Sequence, residues 1–452
     1  MRTRLHRILA AMVGLGFVFG GTSFGQESKV AAAATATFDK GDTAWMLASC
    51  ALVLFMTPGL AFFYGGLVRS KNVLSTMMHS YFCLGLCTVV WFAVGGGIAF
   101  GPSIGGYFGN PSELAFLNGV GHEDIWDPTG KGIGTVPVFV FFTFQMMFAI
   151  ITPALISGAF AERIKFSAFC VFTAFWLLLV YCPICHWVWN GGLLSDTDHS
   201  WLKTLGLPGA IDFAGGTVVH ISSGVSALVF CLFLGKRRGY PDQPMPPHNL
   251  PLCLLGAGML WFGWFGFNAG SEGATDGVTG SAFLVTHICA ATAGLSWAII
   301  EWVHRGKASA LGVATGVVAG LVCITPASGA VYPREALIMG IVVALVCYLF
   351  VAVIKARFRY DDSLDVFGVH GVGGTVGALL SGVLCTEALG KNPGGAQFAA
   401  QFVSVVVTWV YAGGMTLLFL VILDKTIGVR ATEDDELAGL DISQHGEKGY
   451  QV

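Results

Sequence analysis

The sequence predicts an all-α polytopic membrane protein with eleven transmembrane helices, and its composition and hydropathy pattern both support this. Of the 452 residues, 54% are hydrophobic, 11% are charged and 62 are glycine. This composition is typical of chains that cross a bilayer many times rather than of soluble domains. Apolar runs of about 20 residues, the length that crosses hydrocarbon as a helix, recur at 43–66, 78–101, 136–160, 166–189, 211–235, 249–270, 279–302, 309–331, 335–355, 364–386 and 400–424. The run at 309–331 has the weakest pattern, because the segment TPASG interrupts its end.

The amino terminus has the features of a secretory signal. The basic start MRTRLHR is followed by a short apolar run and then by small and polar residues, as in cleavable signals. We therefore expect a signal peptide at 1–25 with cleavage within 25–34, a membrane domain at 35–425, and a cytoplasmic tail at 426–452. An uncleaved signal anchor is the alternative.

Basic residues orient the predicted helices. If the first helix begins outside, fifteen Lys and Arg face inward and six face outward; the six are Lys29, Lys40, Lys131, Lys203, Arg334 and Lys391. The positive-inside rule then predicts an outer amino terminus and a cytoplasmic carboxyl terminus. The corresponding location is the bacterial cytoplasmic (inner) membrane, which the chain crosses many times.

Ten of the helices divide into two halves of five. With an odd number per half, a repeated half must enter the membrane from the opposite side. The stretches DFAGGTVVH from Asp212 and DVFGVHGVGG from Asp365 begin the fifth helix of each half, and we expect both aspartates to cap these helices. Inverted repeats with the site at their interface are a common transporter plan. The eleventh helix is then an addition outside the repeat.

Two histidines lie on glycine-rich faces of these helices. His220 has Gly216 and Gly224 four residues to either side, and His370 has Gly374 on its face. Glycine faces let membrane helices approach closely, so the pattern predicts that the two rings meet inside the bundle. Neutral imidazoles in contact form a coupled pair that can accept and pass one proton. Two histidines without a third ligand are too few for zinc, and we expect no metal and no other cofactor.

Aromatic residues form a second group, toward the predicted outer side. Phe144 and Phe148 are four apart on one helix face, Trp189 ends another helix, and Phe267 and Ser271 are again four apart. Aromatic residues at this depth are often interfacial anchors. Aromatic faces together with a hydroxyl acceptor also describe a site for a small cation, bound by cation–π attraction and a hydrogen bond.

Several motifs, taken in order, resemble the Amt branch of the Amt/Mep/Rh ammonium transporter family. They are FYGGLVRSKNVLS from Phe63, GAFAERIKFS from Gly158, DFAGGTVVH, PHNLP from Pro247, GWFGFNAGS, DDSLDVFGVHGVGG and the tail GLDISQHGEKGY. The resemblance covers essentially the whole chain after residue 35. It implies a homotrimer of eleven-helix subunits, each with a narrow hydrophobic pore through its inverted repeat.

By this resemblance, Trp189, Phe148 and Ser271 form an outer site that recruits ammonium or its analogue methylammonium. Phe148 and Phe267 would be the stacked gate beneath it, and Asp212 would hold the site together without touching substrate. Because the resemblance favours proton coupling, we expect electrogenic transport in which ammonium gives up its proton and ammonia passes the pore.

The resemblance also makes His220 and His370 the paired pore histidines that relay the proton. It implies that the tail responds to a PII-type signal protein. An ammonium sensor on the same scaffold, which signals through the tail with little flux, is the alternative function.

Other classes of function find little support in the sequence. The net charge of −3 supplies no basic surface for nucleic acid, and no phosphate loop or nucleophile set indicates an enzyme. CPICH, Cys182 to His186, fits the attachment pattern for c-type haem, but it lies inside an apolar run and no second ligand is evident. For His287, a hydrogen bond to a neighbouring carbonyl and a functional role remain equal alternatives.

Overall fold

The computed structural model describes residues 30–31, 38–127 and 134–450. The predicted signal peptide at 1–25 lies outside the described residues. Ten helices in the described part are long and apolar enough to cross a membrane, and an eleventh apolar helix is shorter. In chain order they are α1 Lys40–Leu67, α2 Ser70–Phe100, α3 Val138–Phe160, α4 Phe166–Trp189, α5 Gly216–Leu234, α6 Leu250–Glu272, α7 Gly277–Arg305, α8 Ala310–Ile324, α9 Pro333–Phe358, α10 Phe367–Leu384 and α11 Gly395–Thr426. Each of the eleven predicted runs overlaps one of them, so the all-α multi-pass fold is confirmed.

The helix α8 is shorter than its predicted run of 309–331. It has 15 residues and stops at Ile324, two residues before Pro326, because proline has no backbone N–H with which to continue the helical hydrogen bonds. The turns that follow pack against the segment before α5, where the Phe213 amide donates to the Pro326 carbonyl at 3.1 Å. The interruption of α8 therefore supports the start of α5.

Irregular turns mark both halves in equivalent places. The fourth helix of each half contains a π-helical turn, Leu177–Tyr181 in α4 and Leu349–Ile354 in α9. The fifth helix of each half begins with one, Gly216–Ile221 in α5 and Phe367–Gly371 in α10. Such turns are rare and cluster at functional sites, so their matched positions support the five-plus-five repeat.

The helices α5 and α10 meet through their glycines. A Cβ on Gly224 would lie 2.1 Å from the Gly371 nitrogen, and one on Gly374 would lie 3.0 Å from the His220 Cβ and 3.1 Å from the Gly216 oxygen. The later residue of α5, Gly224, thus contacts the earlier residue of α10, Gly371, and the earlier residues Gly216 and His220 contact the later Gly374. The two helices therefore cross antiparallel, as an inverted repeat requires, at a distance that only glycine permits.

Short strands and turns occupy the loops on one side of the bundle. Val30–Ala31, Ile125–Trp126 and Val136–Pro137 form a three-stranded antiparallel sheet, and Ser103–Ile104 pairs with Phe108–Gly109. A single helical turn, Trp201–Thr204, follows α4. This side, which carries the loops after α2 and α4, is called the outer side below, in accordance with the predicted orientation.

The carboxyl-terminal tail is folded against the opposite side, called the tail side below. Its helix α12, Glu433–Ala438, accepts hydrogen bonds from Lys71 Nζ at the Glu436 and Leu437 carbonyls, 2.9 and 2.7 Å away. Farther on, the Asp441 carboxylate accepts the Ser75 amide at 2.7 Å. The tail is thereby bound to the first turns of α2.

The glycine contact between α5 and α10 can be tested directly. We expect Gly224→Ala to lower the free energy of unfolding by about 1–3 kcal/mol, the usual cost of overpacking a dense core. Gly85→Ala on α2 is the control, because a Cβ there would meet nothing within 4 Å. Thermal unfolding of both variants in detergent measures the difference, and equal melting temperatures would contradict the close contact.

Candidate functional site

The structure places His220 and His370 in contact at the centre of the bundle. Their Nδ1 atoms are 3.2 Å apart, the ring centroids are 5.3 Å apart, and the residues are only 1% and 4% exposed. A hydrogen bond between two Nδ1 atoms needs one of them protonated and the other free. The pair in this geometry therefore carries at most one positive charge.

The histidine of α5 is held on its other side by an aromatic ring. Trp264 of α6 stacks on His220 with centroids 5.4 Å apart and planes 21° from parallel. The indole Nε1 of Trp264 donates to Thr325 Oγ1 at 2.9 Å, at the end of α8, which fixes the orientation of the ring. Nothing in the sequence pattern singled out Trp264, since its contact depends on how α6 crosses α5.

The turn before α5 is organised by one carboxylate. Asp212 Oδ1 accepts the amides of Gly215 and Gly216 at 2.9 and 2.5 Å, and Oδ2 accepts those of Thr217 and Val218 at 2.9 and 3.1 Å. Gly215 has a φ of 111°, which side chains other than glycine's rarely allow. Asp212 therefore caps the start of α5 through its side chain, as expected.

The counterpart of Asp212 in the second half is Asp362, and the expectation that Asp365 caps α10 is wrong. Asp362 Oδ2 accepts the Phe367 amide at 2.8 Å, and it precedes His370 by eight residues, as Asp212 precedes His220. Asp365, with a φ of 61°, instead forms an ion pair with Lys355. A carboxylate turned back to Lys355 is not available to the helix amides.

Burial shifts the pKa of both capping carboxyls upward. Burial raises the pKa of Asp212 to about 6, although its four amide donors act in the opposite direction. Burial also raises the pKa of Asp362 to about 6, with Lys355 opposing the rise and Asp365 adding to it. The shared environment is further evidence that these two residues are equivalent.

The predicted aromatic residues converge between the outer side and the histidines. Phe148 stacks on Phe267 with centroids 4.2 Å apart and meets the Trp189 ring edge to face at 6.0 Å. Trp189 Nε1 donates to the Asp212 carbonyl at 2.7 Å. Ser271 Oγ donates to the Phe267 carbonyl at 2.8 Å, which leaves its lone pairs as acceptors. Residues from α3, α4 and α6 are therefore assembled as the sequence analysis predicted.

A narrow cavity lies below this stack. Its volume is about 10 Å³, roughly that of one water-sized molecule. Phe267 lies on its wall together with His220, His370, Trp264 and aliphatic side chains such as Leu260. No carboxylate, lysine or arginine is among the described residues of its lining, so the passage is apolar apart from the two imidazoles.

A wider cavity opens on the tail side of the histidines and is called the inner vestibule below. Its volume is about 200 Å³, and His370 lies on its wall together with Tyr64, Arg237, Ser363 and Asp365. His370 borders both cavities. The aromatic stack, the narrow cavity and the vestibule thus lie in succession through the bundle, and this succession is called the path below.

The comparisons with known proteins identify the family. Residues 44–450 match the model of the Ammonium Transporter Family. The chain belongs to this family. An ammonium transporter of Mycobacterium tuberculosis is 46% identical over 442 residues, 91% of this chain and 90% of that protein. One of Aquifex aeolicus is 43% identical over 447 residues, 98% of this chain and all (100%) of that protein.

Solved structures of ammonium transporter proteins share the fold. Saccharomyces cerevisiae Mep2 matches with a TM-score of 0.80 at 31% identity, over 92% of this chain and 93% of that one. A structure titled Sensor Amt Protein matches with a TM-score of 0.80 at 32% identity, over 90% of this chain and 98% of that one. The family is one of membrane transporters, so the expectation that the chain is not an enzyme is confirmed.

Two other candidates from the sequence, the CPICH motif and His287, do not contribute to this site. Cys182 and Cys185 are buried in α4, and His186 is bound through Nε2 to Ser103 Oγ at 2.8 Å and through Nδ1 to the Ala99 carbonyl at 3.0 Å. The CPICH histidine therefore has no free nitrogen for an iron. His287 lies exposed on the outside of α7, stacked on Trp261 at 5.2 Å.

The cap of α5 provides a test of how the site is held. Asp212→Ala leaves four buried amides without acceptors, so we expect the free energy of unfolding to fall by about 1–3 kcal/mol. Asp276→Ala is the matched control, since Asp276 caps the exposed start of α7 by accepting the Val278 and Thr279 amides. Thermal unfolding should show the larger loss for Asp212→Ala; the reverse order would contradict the capping role.

Proposed function

We propose that this member of the ammonium transporter family moves ammonium across the membrane as ammonia, with the proton handled by the histidine pair. The observation that carries the proposal is the 3.2 Å contact of the two Nδ1 atoms beside an apolar passage. An uncharged passage suits a neutral molecule, and imidazoles are the side chains best suited to exchange protons near neutral pH.

The outer aromatic residues are the proposed recruitment site. Trp189 and Phe148 supply aromatic rings, and Ser271 supplies lone pairs, because its hydroxyl hydrogen is used on the Phe267 carbonyl. A cation gains about 0.5–2 kcal/mol from each favourable ring face. Ammonium can also donate a hydrogen bond to Ser271, which potassium cannot do.

Selectivity follows from deprotonation. A bare cation placed in an apolar passage loses on the order of tens of kcal/mol of hydration free energy. Ammonium avoids this loss when it gives up a proton beside the Phe148–Phe267 gate, whereas potassium has no proton to give. The stacked pair at 4.2 Å separates the recruitment site from the passage until it opens.

The proton takes its own route in this proposal. His220 and His370 share one hydrogen between their Nδ1 atoms, so the pair can accept one further proton but not two. A proton relayed by the pair and an ammonia molecule moving beside it together carry one charge, which makes transport electrogenic.

Family membership also supports a proposal for the oligomeric state, the membrane and the orientation of the chain. We propose a homotrimer in the bacterial cytoplasmic membrane, with the outer side external and residues 426–452 in the cytoplasm after the signal peptide is removed. The tail is bound to the first turns of α2 through Lys71 and Ser75. A PII-type signal protein that displaced the tail would therefore act on the start of α2.

A sensor is the second candidate, and two observations favour it. One structural neighbour is titled Sensor Amt Protein, and in this chain Arg238, which follows α5, is salt-bridged to Glu433 and Glu436 of the tail. A tail bound in this way can transmit a conformational change of the helical bundle to a partner on the tail side. The two candidates differ in flux, since a sensor requires binding and transport requires turnover.

Charge movement in liposomes decides between them. With purified protein, we expect an ammonium pulse to give a sustained current that potassium does not give. The double variant His220→Ala, His370→Ala should lose the current or lose its selectivity over potassium, because the pair is the proposed proton path.

The control for the double variant is His287→Ala, which removes an imidazole from the outside of the bundle. Its current should equal that of the unmodified protein. Absence of both current and lumenal pH change in the unmodified protein, despite measurable ammonium binding, would reject transport and favour the sensor.

The recruitment site can be tested through the concentration dependence of the current. We expect Trp189→Leu to raise the half-saturating ammonium concentration about fivefold, since one cation–π contact contributes about 1 kcal/mol. Trp201→Leu is the control, because Trp201 is exposed in the loop that follows α4 but is not part of the aromatic stack. Equal half-saturating concentrations in the two variants would remove Trp189 from the site.

A further inference from the structure

Among the described residues that line the inner vestibule, Asp365 is the one that is acidic. Two other carboxylates of this region, Asp361 and Glu162, are bound to arginines. Asp361 accepts hydrogen bonds from the Arg237 guanidinium at 2.8 to 3.2 Å, and Glu162 binds Arg69 and Arg237. Asp365 is therefore the carboxylate that a cation would meet on leaving the histidines.

Asp365 is already occupied by a cation that belongs to the chain. Lys355 Nζ, at the end of α9, lies 2.6 Å from Asp365 Oδ1, and the two side chains are 15% and 29% exposed. The lysine head is a substituted ammonium with three N–H donors. It makes the same charge-assisted hydrogen bond that free ammonium would make with this carboxylate.

The backbone geometry at Asp365 favours this ion pair over helix capping. Asp365 adopts a left-handed φ of 61°, which non-glycine residues reach at a cost in conformational energy. In this conformation its side chain meets Lys355, and the capping position is taken by Asp362 instead. The strain is offset by an ion pair at the wall of the vestibule.

We propose that Lys355 is a tethered competitor that keeps ammonium from being retained in the inner vestibule. The inference rests on the proposed transport function, in which ammonia is reprotonated near His370. Ammonium formed there finds Asp365 already paired with Lys355 and leaves to the tail side. Without Lys355, the carboxylate binds the product, and release becomes slower as ammonium accumulates on the tail side.

The test is inhibition of transport by ammonium on the tail side. Full-length protein is reconstituted with one orientation, verified by protease access to the 426–452 tail, and current is measured from the outer side at several tail-side ammonium concentrations. We expect Lys355→Met to lower the concentration for half-inhibition about tenfold, the scale of one charge-assisted hydrogen bond. The half-saturating concentration on the outer side should not change, which separates this role from a general structural one.

Three further variants make the result specific. Lys355→Met, Asp365→Asn should restore the original half-inhibition, because the carboxylate that retains ammonium is gone. Lys355→Arg keeps the charge and should behave like the unmodified protein. Lys425→Met, which removes an exposed positive charge from the end of α11, should have no effect.

The outcomes separate this inference from the proposed function. If the unmodified protein carries no current, transport itself is rejected. If it does, and Lys355→Met leaves half-inhibition unchanged, the inference is overturned. A tenfold drop that Asp365→Asn fails to reverse would also overturn it, since the effect would then not pass through the carboxylate.

Discussion

The contact between the glycine surfaces of α5 and α10 is the constraint on which the rest of the site depends. Gly224 lies against Gly371, and Gly374 lies against His220. A Cβ on Gly374 would be 3.0 Å from the His220 Cβ. Because each histidine is within about one turn of this contact, the two imidazoles reach each other at 3.2 Å. A larger residue at the contact would move both rings apart and break their hydrogen bond.

The same contact limits the charge that the centre of the bundle can hold. Two Nδ1 atoms at hydrogen-bonding distance share a proton, and a second positive charge there would face the first across a water-poor site. The aspartates near the pair do not relieve this limit directly. Both carboxylate oxygens of Asp212 accept hydrogen bonds from four backbone amides. Asp212 therefore fixes where α5 begins and does not contact the imidazole rings.

Much of this arrangement could be predicted from the sequence, because the decisive signals are local. Hydropathy located the eleven helices, and the spacing of glycine around His220 and His370 predicted their meeting. Assigning Asp365 as the second cap was wrong, although the eight-residue spacing shared by Asp212 and Asp362 was present in the sequence. The stacking of Trp264 and the pairing of Lys355 could not be predicted, since they depend on helix crossing and on an unusual backbone angle.

The two ends of the path differ in how they treat a cation, and the difference has a common physical reason. On the outer side the candidate groups are neutral, two aromatic faces and a hydroxyl, whereas the carboxylate on the inner wall is neutralised by Lys355 at 2.6 Å. A bare carboxylate at either end would bind ammonium tightly. Conduction requires sites strong enough to admit the substrate and weak enough to release it, and the inner wall of this chain meets that requirement by pairing its carboxylate with Lys355.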